Sequence, residues 1–117
     1  RHHAVVSIRK RHEEEARNVI LALLATGIGI KHVIVVDEDI DIDDPMDVEW
    51  AVNTRMQPDK DLIVISRLAI STLDPSAPQP RTSAGWGIDA TMPMCDNQHF
   101  QKVKIPGVDK VRYLKEK

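Results

Sequence analysis

Apolar and polar positions along this chain fall into blocks whose period changes. Ala4 to Lys10 (AVVSIRK) is a short β-branched run and predicts a strand. Ala16, Val19, Ile20 and Leu23 recur at i, i+3, i+4 and i+7, so a helix is predicted over 12–26 with these residues on one face. Glu13, Glu14 and Glu15 fall in its first turn, where the helix dipole favours negative charge. Thr26-Gly27 supplies a stop. His32 to Val36 (HVIVV) has no polar alternation, as expected of a parallel strand buried on both faces.

The next helix has the clearest start. Asp44 suits the N-cap, Pro45 the first helical position and Asp47 the first turn, predicting a helix over 45–55 that ends before Pro58. Gln57 to Lys60 reads as a turn, and Asp61 to Ser66 (DLIVIS) as a third buried strand. This alternation implies an α/β fold, a short mainly parallel sheet flanked by helices and joined by right-handed crossovers. Past Ser66 the pattern stops. Residues 67–100 are rich in proline and lack a periodic apolar segment, which predicts a long loop making inter-domain or subunit contacts. From Lys102 onward six basic residues stand against two acidic ones, with a further short strand expected near 102–105. Residues 1–117 read as one domain, with 67–117 its contact loop and basic tail.

Composition narrows the setting. Sixteen basic and eighteen acidic side chains leave a charge of −2, and no apolar run approaches the roughly 20 residues of a membrane helix. The lone Cys95 excludes an internal disulfide framework, and no leader pattern opens the chain, so the expectation is a soluble cytoplasmic protein. Trp50, Trp86, Phe100 and Tyr113 are the only aromatics, so the core must be aliphatic. Such a core is marginal at this size, which suggests part of a larger protein or a subunit stabilised by partners. The basic tail lacks the aromatic interleaving of a nucleic-acid module.

Asp37-Glu38-Asp39-Ile40-Asp41-Ile42-Asp43-Asp44 is the densest candidate chemistry. A calcium loop opening at Asp37 needs glycine sixth and glutamate twelfth, where this chain has Ile42 and Val48. That excludes an EF-hand. A receiver-like Mg²⁺ pocket at the strand end, a solvated helix-capping loop, or an acid placed over an active site remain. His2 and His3 are adjacent, so on a strand they point to opposite faces and cannot both chelate one ion without distortion. Gly85 and Gly87 around Trp86 permit close approach of a ligand or another chain. Cys95 has no basic neighbour in sequence to lower its pKa and reads as inert.

VVDEDIDIDDPMDVEWAVNTRMQPDKDLIVI (35–65), LDPSA (73–77) and GIDAT (87–91), with the opening HHAVVSIRKR, together resemble the C-terminal domain of the UbiD family. These are reversible decarboxylases of aromatic and α,β-unsaturated acids that use prenylated FMN. The resemblance implies that the cofactor, its Mn²⁺ and K⁺, and the catalytic acid–arginine–acid set belong to an N-terminal flavin-binding domain. No catalytic residue is therefore expected in this chain. It implies partners too: that flavin-binding domain or subunit, and further copies in a dimer or hexamer. This domain would close the pocket and exclude water.

The resemblance places substrate-facing side chains at His3, with His2 as the alternative if the register slips by one, at Glu38, and at Arg11. A His donor and an acid facing one another would suit a phenolic or otherwise polar aromatic acid. Where many members carry Ser-Lys-Met-Gly-Ile-Asp-Ala-Thr, this chain has Ala84-Gly85-Trp86-Gly87-Ile88-Asp89-Ala90-Thr91. The lysine near the cofactor phosphate is thus Gly85, so no cofactor contact is expected here, and Trp86 with its glycines is expected to pack against a neighbouring domain. The rival readings are a purely structural oligomerisation domain and a stand-alone Mg²⁺-binding receiver.

Overall fold

The computed structural model describes residues 3–26, 29–69 and 82–94. His2, Gly27, the LDPSA block, Cys95 and the basic tail lie outside them. The element order is β1 (His3–Ile8), α1 (Glu15–Leu24), β2 (His32–Asp37), α2 (Pro45–Arg55), α3 (Pro58–Asp61), β3 (Leu62–Ala69) and β4 (Thr82–Ala90). The four strands form one sheet in the order β1-β2-β4-β3. β1 and β4 run parallel to β2, and β3 runs antiparallel to β4. The expected α/β class and mainly parallel sheet are therefore observed.

Two expectations are corrected. Residues 82–90, read as loop, form the interior strand between β2 and β3. The third predicted strand is a sheet edge rather than a buried parallel member: Val64 is 63% exposed and Leu62 37%. A register shift between Ile65 and Leu68 bends it, and Arg67 takes a left-handed φ of 61° there.

The sheet sits between the two longer helices. On one face Val33, Val35 and Ile63 pack against Ala16, Ile20 and Leu24 of α1. On the other, Ile34, Val36, Ile88 and Ala90 meet Val48 and Ala51 of α2, with Trp50 and Trp86 at the margin. Both faces of β2 are covered, which explains its unbroken apolar run. The glycines of β4 belong to the α1 face. A Cβ on Gly87 would sit 2.3 Å from Ile20 Cγ2, and one on Gly85 2.6 Å from Leu68 Cδ1 and 3.0 Å from Leu24 Cδ2. On their α1 side, the close approach that Gly85 and Gly87 permit is made by Ile20, Leu24 and Leu68 of the same chain.

Local chemistry sets the helix ends. Asp44 accepts a hydrogen bond from the Met46 N–H at 3.0 Å and Pro45 opens α2, as its sequence predicts. α1 begins three residues later than expected. Glu15 reaches back to the Arg11 N–H at 2.7 Å and its guanidinium at 3.0 Å, while Glu13 turns to Lys10 and the Met94 N–H. Among the described residues no helix is long and apolar enough to cross a membrane.

Candidate functional site

Parallel strands give this sheet two chemically different ends. At the carboxyl end, the acids of the β2–α2 loop are engaged within the chain. Arg55, the last residue of α2, is 3% exposed and reaches Asp37 at 3.0 Å and Asp39 through two bonds of 2.9 Å. Its guanidinium also lies 5.0 Å from the Trp50 ring centroid. Asp37 Oδ2 accepts the Met92 N–H at 2.8 Å as well. Burial nevertheless holds the Asp37 carboxyl above its ordinary pKa, against the lowering effects of Met92 and Arg55. Lys10, nearly buried, donates to Thr91 Oγ1, the Met92 carbonyl and Glu13. Others hold backbone: Asp41 accepts the Asp43 N–H, Asp44 the Met46 N–H, and Asp47 of α2 the Asp41 N–H.

Glu38 lies just past β2 and pairs with Arg9 through a two-bond fork, 2.7 and 3.2 Å, in solvent. That pairing lowers its carboxyl pKa. Arg11 lies on the same side, exposed, bound to Glu15. These bridges are screened and hold little, so both arginines can exchange partners.

At the amino end the residues are apolar and aromatic. An open groove of about 370 Å³ runs between β1 and α2. Val5, Ile34, Val48 and Val52 line it, with His3 and Glu49 its polar members among the described residues. His3 is in register with His32, and His32 with Trp86. Their rings form a row across three strands: His3 to His32 is 4.5 Å between centroids, His32 to Trp86 3.7 Å, each pair within 7° of parallel. His32 Nε2 is buried without a hydrogen-bond partner in the described structure. Burial, with a smaller effect of His3, brings the His32 pKa down to about 4, so its ring is neutral near pH 7.

His3 and Glu38 do not face one another. The β1–β2 register places them six positions apart along parallel strands, about 20 Å at the usual rise. Arg11 is likewise at the end away from His3. The ring row was not anticipated, although HVIVV and the Gly-Trp-Gly segment carried its members. Finding it required the register of β4.

The described residues do not by themselves assemble a divalent-metal site. Among the described residues no three His, Cys, Asp or Glu side chains converge as a metal set. The cations at the carboxyl end, Arg9, Lys10, Arg11 and Arg55, are each bound to carboxylates or carbonyls of the same chain.

Residues 1–90, which include all four strands, match the 3-octaprenyl-4-hydroxybenzoate carboxy-lyase C-terminal domain. The anhydromevalonate phosphate decarboxylase of Aeropyrum pernix is 49% identical over 105 residues, 90% of this chain and 24% of that protein. That of Methanocaldococcus jannaschii is 49% identical over 106 residues, 89% of this chain and 25% of its own. Among solved structures, the UbiD-class enzyme HmfF from Pelotomaculum thermopropionicum, in complex with FMN, superimposes with a TM-score of 0.83 at 42% identity. That match covers 95% of this chain and 25% of HmfF. Vanillic acid decarboxylase of Sedimentibacter hydroxybenzoicus, in closed form, gives 0.78 at 33% identity, over 91% of this chain and 24% of that one. The chain thus spans about a quarter of the length of the relatives it matches. It belongs to the UbiD family, in which it corresponds to the C-terminal domain.

Proposed function

We propose that this chain is the pocket-closing domain of a reversible carboxy-lyase acting on an α,β-unsaturated carboxylic acid. The observation that carries this reading is the 49% identity, over 90% of the chain, to an enzyme named for anhydromevalonate phosphate, a dehydrated and phosphorylated acid. Prenylated FMN, with Mn²⁺ and K⁺, would sit on a flavin-binding domain or subunit that is this chain's partner, and copies of the assembly would associate as a dimer or hexamer. The cofactor supplies the bond-breaking chemistry. This domain shapes the pocket and keeps water out. A polar aromatic acid held between His3 and Glu38 loses its support, because those residues stand at opposite ends of the sheet.

His3 is the substrate-facing residue of this reading, since it borders an apolar groove with an imidazole that can both donate and accept. A second reading gives that role to Arg11, an exposed cation past the carboxyl end of β1 that is paired with Glu15. Ligands in open α/β sheets gather at that end. The test is to assemble the chain with its flavin-binding partner, load prenylated FMN, and follow CO₂ release with His3→Ala and Arg11→Ala. Release that depends on this chain and falls with His3→Ala supports the first reading, whereas a fall with Arg11→Ala alone supports the second. Equal release without this chain sinks both.

A further inference from the structure

The row of rings links the groove to the core of the domain. Trp86, on interior strand β4, packs against the cluster beneath α2. His32 lies flat on it at 3.7 Å, and His3 flat on His32 at 4.5 Å. His3 is on an edge strand, so His32 is its single in-register neighbour across the sheet. His32 Nε2 is buried and unpartnered, and a ring lies against each face of the imidazole. A ring stacked on both faces transmits orientation from one neighbour to the other.

We infer that His32 and Trp86 are positioning residues that hold the plane of the His3 imidazole where it borders the β1–α2 groove. Neither touches the substrate. Their effect passes through His3, and this rests on His3 being the substrate-facing residue. Geometry of this kind matters because a substrate group left without its hydrogen-bond partner in a closed site loses on the order of ten- to a hundredfold in affinity.

The experiment uses the complete, flavin-loaded enzyme with anhydromevalonate phosphate as probe, measuring kcat and KM separately. His32→Leu removes the flat ring and is expected to raise KM about ten- to a hundredfold with a smaller change in kcat. His32→Phe keeps both faces and drops the nitrogens; it should stay close to the parent enzyme. His3→Ala with His32→Leu should be no worse than His3→Ala alone, because the second ring acts only through the first. If His32→Leu does not fold, Trp86→Phe, a smaller anchor that keeps a plane, should raise KM in the same direction. Additive losses in the double variant, a His32→Phe as impaired as His32→Leu, or a His32→Leu with unchanged KM would each overturn the inference. If His3→Ala itself leaves kcat and KM unchanged, the assignment of His3 falls as well.

Discussion

Replacing Gly87 by alanine sets two effects of opposite sign against each other. Exchanging a strand glycine for alanine lowers the entropy of the unfolded chain and stabilises by about 0.5–1 kcal/mol where the backbone permits. Here the new Cβ would meet Ile20 Cγ2 at 2.3 Å, and Cγ1 and Cδ1 at 3.1 and 3.2 Å. Ile20 is fully buried in α1. A β-branched side chain in a helix has one strongly preferred χ1, so Cγ2 cannot swing away. Relief requires moving the helix from the sheet, an overpacking cost of about 1–3 kcal/mol. The overpacking wins, and Gly87→Ala should destabilise by about 1–2 kcal/mol net. Urea unfolding followed by circular dichroism reads this directly, with a companion Ile20→Ala variant. Alone, Ile20→Ala should cost about 2–5 kcal/mol. In the double variant the new methyl group occupies part of the cavity, so the combined loss should be smaller than the sum. A neutral or stabilising Gly87→Ala, or strictly additive losses, would refute the close packing of α1 on β4.

Arg55→Met leaves Asp37 buried without its cation and should cost about 3–5 kcal/mol in the same assay. Arg55→Lys should recover only part, because one ammonium cannot reproduce contacts to two carboxylates. The lowered pKa of His32 makes a stabilising contribution that is full above about 6.5 and lost as pH falls toward about 4. After allowance for solvent screening that loss is on the order of 1 kcal/mol, and it should vanish from the pH profile of His32→Phe. Arg67→Gly removes a side chain from a left-handed position and should leave stability equal or up to about 1 kcal/mol higher by thermal unfolding.

The elements whose burial is repetitive were legible in the sequence. Val33 to Val36 are covered on both faces by α1 and α2, so the strand had to be continuously apolar. Asp44 and Pro45 solve the local problem of unpaired N–H groups at a helix start, and local problems have local signatures. β4 was not legible. Gly85 and Gly87 are small because a helix and an edge strand press on them, and small residues between two pressed layers resemble a loop. Placing β4 between β2 and β3 also displaced β3 to the edge, a consequence of pairing that no window of sequence contains.

The candidate site divides in the same way. His3, Glu38 and Arg11 were singled out by the family resemblance, but which of them share a space depends on strand direction and register. Parallel pairing of β1 with β2 separates His3 from Glu38 and joins it to His32 instead. The acidic run looked like a binding site because eight residues held six acids. Arg55, eleven residues beyond it in sequence, neutralises two of them, and the Asp43 and Met46 N–H groups occupy Asp41 and Asp44.

The most direct measurement is the ratio of kcat/KM for anhydromevalonate phosphate to that for vanillic and 3,4-dihydroxybenzoic acids, taken on the complete enzyme loaded with prenylated FMN. The unsaturated, phosphorylated acid is predicted to lose CO₂ with the highest kcat/KM, and the aromatic acids to react poorly or not at all. Preference for either aromatic acid, or no CO₂ release from any of the three, would contradict the account.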